Sequence, residues 1–163
     1  MKRLILMRHA KSLRGEPALD DHARSLNDRD RNAARRVGAW MRARGYLPDE
    51  ILSSDSRRTR ETVRQLGIAG ETHFLNRLYL AQAGDMLEIL RSAAGECVLM
   101  LGHNPGICLL ARVLVAAPPP HPRFFDFPTC ATLVCDFDVR SWGALAPGSG
   151  RAVDFVIPRD LPD

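Results

Sequence analysis

Short apolar runs alternate with longer amphipathic segments along this chain, and the alternation predicts a sheet of buried strands interleaved with helices. The first strand is predicted over residues 3–7, because four consecutive apolar residues are too few for a helix and suit a strand buried on both faces. The run "CVLML" repeats this pattern later in the chain. Further strands are predicted near residues 50–53 and 71–75, and in the alternating segments "ATLVCDF" and "RAVDFVIP".

Four helices are predicted between these strands. The first follows Asn27, which can act as its N-cap, and ends at Gly45. The others are predicted from about Asp55 to Gly67, over residues 83–95 and over residues 104–117, with Asn104 capping the last one and Pro105 in its first position. The order of elements predicts a single domain over residues 1–163, with an α/β fold. We expect a three-layer α/β/α sandwich with a largely parallel sheet.

Composition and charge exclude several classes of protein. The chain has 23 basic and 19 acidic residues, a net charge of +4, which suits an anionic ligand but lacks the dense basic stripe of a nucleic-acid binder. The longest apolar stretch, "GICLLARVLVAA", is broken by an arginine and is too short to span a bilayer, and the first apolar run is too short for a signal peptide. The four cysteines lack metal-site spacing. We therefore expect a cytoplasmic protein, monomeric by default, without a nucleic-acid or membrane partner.

Cationic and imidazole side chains follow three of the predicted strands. Arg8 and His9 follow the first strand, Arg58 opens the helix after the second, and His103 directly follows "VLMLG". Ligands of open parallel sheets bind at the carboxyl ends of the strands. Guanidinium groups match phosphate oxygens bidentately, and a neutral imidazole can attack phosphorus. Each signal alone is weak, but together they predict a phosphate pocket.

Two further residues are candidates for contact with the phosphate or the substrate. Asn104 lies at a predicted helix start, where backbone N–H groups favour an anion, and Arg24 lies in the polar segment after the first strand. The histidines are far apart along the chain and show no ligand spacing, so we predict no metal site and no cofactor.

Three segments carry a resemblance to a known family. "LMRHAKS", "SSDSRRTRET" and "GHNPG" resemble the signatures of the histidine phosphatase superfamily, which has the phosphoglycerate mutase-like fold. The resemblance implies that His9 is the nucleophile and that Arg8, Arg58 and His103 are its catalytic partners. In the second segment Ser54 and Thr62 also match, whereas a threonine at position 59 replaces the usual alanine.

More narrowly, the short length and the segments "LNDRD", "LYLA" and "FPT" resemble the SixA-like phosphohistidine phosphatases. This implies hydrolysis of phosphohistidine on a protein, such as a phosphotransfer domain, through a covalent phosphohistidine on the enzyme. One departure supports that substrate. Mutases and many phosphoesterases of the superfamily carry a glutamate in the segment resembling "LNRLYLAQ", where this chain has no acidic residue. An alkoxide needs a proton donor to leave, whereas a phosphoimidazole protonated on its ring leaves as neutral imidazole.

Three alternatives stay open at this point. Asp20, Asp21 or His22 could supply the acid that the segment lacks. The protein could then be a small-molecule phosphomonoesterase of the same fold. It could also be a binding module that recognises phosphorylated ligands without hydrolysing them, although an intact nucleophile argues against this.

Overall fold

The computed structural model describes residues 1–12 and 20–163, and its described strands form one mixed sheet. The strands are β1 (Lys2–Arg8), β2 (Glu50–Ser54), β3 (Glu71–Leu75), β4 (Cys97–Gly102), β5 (Thr132–Phe137) and β6 (Arg151–Val156). They lie in the order β3-β2-β4-β1-β5-β6. Only β5 runs against its neighbours, so the predicted largely parallel sheet is confirmed.

Helices cover both faces of this sheet. They are α1 (Asp28–Arg44), α2 (Arg57–Leu66), α3 (Ala83–Arg91) and α4 (Gly106–Leu114). Alternate residues of β1 point to opposite faces: Ile5 and Met7 join the core beneath α1 and α2, whereas Leu4 and Leu6 join the core beneath α3 and α4. Because both faces of the central strand are covered, its continuous apolar run is fully buried. The predicted three-layer α/β/α sandwich is confirmed.

The helix boundaries follow local capping chemistry. The prediction for α1 is confirmed, because the Asn27 side chain accepts a hydrogen bond from the Asp30 amide at 2.8 Å and Gly45 takes the left-handed conformation at φ 73°. Helix α2 begins at Arg57, slightly later than the predicted start near Asp55, and Ser56 is its N-cap.

The prediction that Asn104 caps α4, with Pro105 as its first residue, is wrong. The helix begins at Gly106, and the preceding proline offers no side-chain cap. The Asn104 amide nitrogen instead donates to the carbonyls of Asp126 and Phe127, each at 3.1 Å. These loop carbonyls hold the side chain away from the helix N–H groups.

The topology brings the chemically interesting segments to one edge of the sheet. β1, β2 and β4 are parallel neighbours, so all three end at the same edge, and Arg8 lies opposite Gly102 in the register. The residues that follow these strands, His9 and His103, are therefore adjacent in space. Within the described ranges, no helix is both long enough and apolar enough to cross a membrane.

Candidate active site

A cavity of about 180 Å³ opens at this edge of the sheet. Its lining residues are Arg8, His9, Lys11, Ser12, Asp21, Arg24, Arg58, Leu80, His103, Asn104 and Thr129. All six residues singled out from the sequence therefore lie together, although they come from distant parts of the chain. The lining contains four cationic side chains and one carboxylate, so the cavity is suited to an anion.

The His9 ring has a defined tautomer. Its Nδ1 lies 2.6 Å from the backbone carbonyl of Ala10, and a carbonyl only accepts hydrogen bonds, so Nδ1 carries the proton. The opposite nitrogen, Nε2, keeps its lone pair. The ring is 7% exposed, and burial together with the positive charges of Arg58 and Arg8 lowers the pKa of His9 to about 3, against the opposing effect of the carbonyl. His9 is therefore a neutral imidazole at physiological pH.

The His103 ring has the opposite tautomer. The guanidinium of Arg58 only donates, and its Nη2 lies 3.1 Å from Nδ1 of His103, so that nitrogen is unprotonated. The proton is then on Nε2, which donates to the Ser54 hydroxyl at 2.8 Å. Burial, followed by the charge of Arg58, lowers the pKa of His103 to about 3. The two ring centroids are 5.0 Å apart.

His103 was predicted as a catalytic partner of His9 in the phosphate pocket, and both of its ring nitrogens have protein partners. A direct bond from His103 to a phosphate oxygen requires the ring to exchange Ser54 or Arg58 for that oxygen. In the described arrangement His103 instead fixes the position of the Arg58 guanidinium.

The two tautomers can be observed directly. We expect ¹⁵N NMR of the imidazoles to show an Nδ1–H ring for His9 and an Nε2–H ring for His103. Because each folded-state pKa is lowered to about 3, both rings should stay neutral as the pH is lowered from 8 to 5. Titration of either ring near its ordinary pKa, or the same tautomer for both, would contradict this geometry.

Arg58 is the most enclosed cation of the pocket. Its side chain is 3% exposed, with Nη1 donating to the Asp21 backbone carbonyl at 2.7 Å and Nη2 to the Asp21 carboxylate at 3.0 Å. Its Nε is buried and has no partner among the described residues. A buried guanidinium N–H left without an acceptor is costly, and a bound oxyanion would satisfy it.

The Asp21 carboxylate is held by three donors: the guanidinium groups of Arg58 and Arg24 and the hydroxyl of Tyr79. Burial raises the pKa of Asp21, but the hydrogen bonds from Tyr79 and Arg58 outweigh burial and lower it to about 2. This carboxylate is therefore ionised at neutral pH and has no proton to give.

The other two candidate acids lie outside the pocket lining. Asp20 is exposed, and the His22 ring bonds the Asp55 carboxylate through Nε2 at 2.8 Å. Among the described lining residues Asp21 is the only carboxylate, so these residues offer no protonated carboxyl group to a leaving group.

Asn104 and Arg8 contact the same loop carbonyl. The Asn104 amide nitrogen and Nη1 of Arg8 both donate to the carbonyl of Phe127, at 3.1 and 3.4 Å. With its nitrogen used in this way, Asn104 has only its oxygen free, and an acceptor does not bind phosphate. Its observed role is therefore to hold the loop beside the pocket.

Thr62 hydrogen-bonds both the segment that follows His9 and the helix that carries Arg58. Its buried hydroxyl accepts from the Ala10 amide at 3.1 Å and donates to the Arg58 carbonyl at 2.7 Å. The Ala10 carbonyl in turn fixes His9. Thr62 thus positions both the imidazole and the helix that carries the guanidinium.

Substitutions of Thr62 test whether its hydroxyl positions the site. Thr62→Val keeps the shape of the side chain but leaves the buried Ala10 amide without its acceptor, so we expect a loss of about 1–3 kcal/mol in the free energy of unfolding, measured with urea, and a lower kcat. Thr62→Ser keeps the hydroxyl and should retain most of the kcat. Equal kcat values for the two variants would show that the hydroxyl does not position the site.

Sequence reasoning missed several parts of this site. Lys11 and Ser12 line the pocket and lie just after the Arg–His pair, which was a usable signal. Tyr79 and Thr129 lie in the segments "LYLA" and "FPT", which contributed to the family resemblance, but the sequence predicted no role for either residue at the site. Among the described residues, no group of three or more His, Cys, Asp or Glu side chains could hold a metal ion.

Comparison with known proteins supports the same family. No family model matches the chain. An uncharacterized protein of Mycobacterium tuberculosis is 31% identical over 160 residues, which cover 94% of this chain and all of that protein. A candidate phosphohistidine phosphatase, SixA, from Nakamurella multipartitia superposes with a TM-score of 0.83 at 25% identity and 96% coverage of both chains.

A second solved structure extends this agreement. The corresponding SixA candidate from Agrobacterium tumefaciens gives a TM-score of 0.78 at 25% identity, covering 96% of this chain and 98% of its own. The agreement covers nearly the whole chain. The chain belongs to the histidine phosphatase superfamily, and its similarity is to the SixA-like members.

Proposed function

We propose that this protein is a phosphatase that removes the phosphoryl group from histidine side chains of other proteins, through a covalent phosphohistidine at His9. One observation carries the proposal. A neutral imidazole, with Nδ1 hydrogen-bonded to a backbone carbonyl and Nε2 unprotonated, lies among described lining residues that include four cations and no protonated carboxyl group.

In the first step, the Nε2 lone pair of His9 forms a bond to phosphorus while the bond from phosphorus to the substrate nitrogen breaks. Arg8, Arg24, Lys11 and the unused N–H groups of Arg58 stabilise the charge on the phosphoryl oxygens. The electron pair of the broken bond stays on the substrate imidazole. If its other nitrogen is protonated, the substrate leaves as a neutral ring.

In the second step, water forms a bond to phosphorus and the bond to Nε2 breaks. The proton on Nδ1 stays hydrogen-bonded to the Ala10 carbonyl throughout, so phosphorylated His9 is a cationic ring that leaves as neutral imidazole. The attacking water loses its proton to phosphate or solvent. The same hydrogen bond that orients the nucleophile therefore also makes it a good leaving group.

The lack of a protonated acid among the described lining residues favours a phosphohistidine substrate. General acid catalysis contributes about 10²–10⁴-fold where an alkoxide must leave. The only carboxylate of the described lining has its pKa lowered to about 2, so alkyl phosphates would lose that contribution. Neutral imidazole needs no such donor. The cytoplasmic location, the monomeric state and the phosphotransfer-domain partner stay predictions from the sequence.

The test compares substrates that differ in their leaving group. Wild-type protein is incubated with a phosphohistidine-bearing protein domain, with glycerol phosphate and with p-nitrophenyl phosphate, and phosphate release is measured. We expect kcat/KM for the phosphohistidine domain to exceed that for glycerol phosphate by about 10²-fold or more. A higher value for the alkyl ester would favour the small-molecule phosphomonoesterase. Binding without release from any substrate would favour the binding module.

A further inference from the structure

We propose that a basic groove beside the phosphate pocket docks an acidic segment of the phosphorylated partner protein. The groove is a cavity of about 720 Å³ between the start of α1, the loop at residues 123–130 and the chain at residues 157–163. Lys11 and Thr129 line both this groove and the phosphate pocket, so the two cavities are contiguous. The inference rests on the proposed function, which requires a protein substrate.

The charge of the groove is mainly positive. Five cations and two carboxylates line it: Lys11, Arg29, Arg36, Arg123 and Arg159, with Asp30 and Asp163. Two of the cations are already used by the fold. Arg36 donates to the carbonyls of Pro158 and Leu161, and Arg123 pairs with a neighbouring carboxylate at 2.7 Å.

The other three cations are available to a ligand. Lys11, Arg29 and Arg159 are exposed and make no hydrogen bond or ion pair through their side chains with the described part of the chain. The nearby Asp30 is buried, and burial raises its pKa against the opposing effect of the Lys11 and Arg29 charges, but it forms no direct ion pair with any of the three. Three cations without ion-pair partners around this groove are complementary to carboxylates of a peptide.

The size of the groove distinguishes a protein segment from a small phosphate. The groove has four times the volume of the phosphate pocket, and apolar side chains of Ile157, Pro158 and Pro128 contribute to its lining. A segment of polypeptide can cover such a surface while its phosphohistidine reaches the adjoining pocket. A phosphorylated metabolite would fill the pocket and leave the groove empty.

Two charge reversals test the docking surface. Arg29→Glu with Arg159→Glu reverses two unpaired cations, and a glutamate in the first turn of α1 suits the helix dipole, so the fold should tolerate the change. The matched control reverses two exposed arginines that do not line the groove, Arg64→Glu with Arg140→Glu. Circular dichroism checks that both variants are folded.

Binding is measured apart from turnover. Each pair is placed in His9→Ala protein, and fluorescence anisotropy gives Kd for two labelled phosphohistidine peptides of equal length, one flanked by Glu and Asp and one flanked by Gln and Asn. We expect the acidic peptide to bind about tenfold more tightly, this preference to disappear in the groove variant, and the control variant to retain it. The preference should also weaken at high salt.

The outcomes separate the two proposals. Equal affinities for both peptides, or a preference that survives the groove reversals, would overturn the docking surface. So would a single-stranded oligonucleotide that binds the groove as tightly as the acidic peptide. Turnover of the peptides by wild-type protein tests the proposed function separately. Groove-dependent binding without turnover would support the docking surface and contradict the phosphatase.

Discussion

His9→Ala is expected to lower kcat for phosphohistidine hydrolysis by about 10⁴-fold or more. The variant removes the only imidazole of the described pocket that has an unprotonated nitrogen without a partner, since both nitrogens of His103 have protein partners. Without this nitrogen no covalent intermediate forms, and water must attack the substrate directly. The cations remain, so the affinity for the phosphorylated peptide should be largely kept.

The matched control is His73→Ala. His73 lies on β3, is largely exposed and does not line the pocket, so its removal should leave kcat within about twofold. Activity of the His9→Ala protein within tenfold of wild type would show that another group attacks phosphorus. His9 would then have no catalytic role and would only be the residue that follows β1.

Arg58→Ala is expected to lower kcat/KM by about 10³-fold. This guanidinium is the most buried cation of the pocket, and its unpartnered Nε has no alternative acceptor among the described residues. The variant also leaves Nδ1 of His103 without its donor and removes one of the three donors to the Asp21 carboxylate. Less of the negative charge of that carboxylate would then be balanced beside the phosphoryl group. Arg58→Lys should recover little, because an ammonium group does not offer two parallel donors.

The adjacent residue provides the control. Arg57 lies on the same helix turn, but its side chain is exposed and pairs with Glu61 at 2.9 Å. Arg57→Ala should change kcat/KM by less than about threefold, because exposed ion pairs contribute little. Thermal unfolding of both variants separates loss of catalysis from loss of fold. Similar kcat/KM values for the two folded variants would contradict the assigned role of Arg58.

The residues at the carboxyl edge of the sheet could be predicted because short apolar runs in the sequence mark the strands that end there. The short apolar runs mark β1 and β4, and parallel strands necessarily end together, so the convergence of His9 and His103 followed from topology. The arrangement around Asp21 could not be predicted, because its partners Arg58 and Tyr79 lie 37 and 58 residues away and meet it only through the tertiary fold.

The error at Asn104 has the same origin. Its sequence context is that of a helix cap, and the residue preceding a proline at a helix start is a reasonable capping position. The carbonyls of Asp126 and Phe127, more than twenty residues later in the chain, compete successfully for its amide nitrogen. The local sequence therefore predicted that Asn104 lies beside the start of α4, but not which groups its side chain bonds.

The most direct test of the account is to trap the phosphorylated enzyme. Wild-type protein is mixed with a phosphohistidine-bearing domain, quenched in alkali within milliseconds to seconds, and mapped by mass spectrometry and ³¹P NMR. We predict one phosphoryl group on Nε2 of His9, because Nδ1 is held by the Ala10 carbonyl. Phosphate on Nδ1, phosphate on another residue, or turnover without any phosphorylated enzyme would contradict this account.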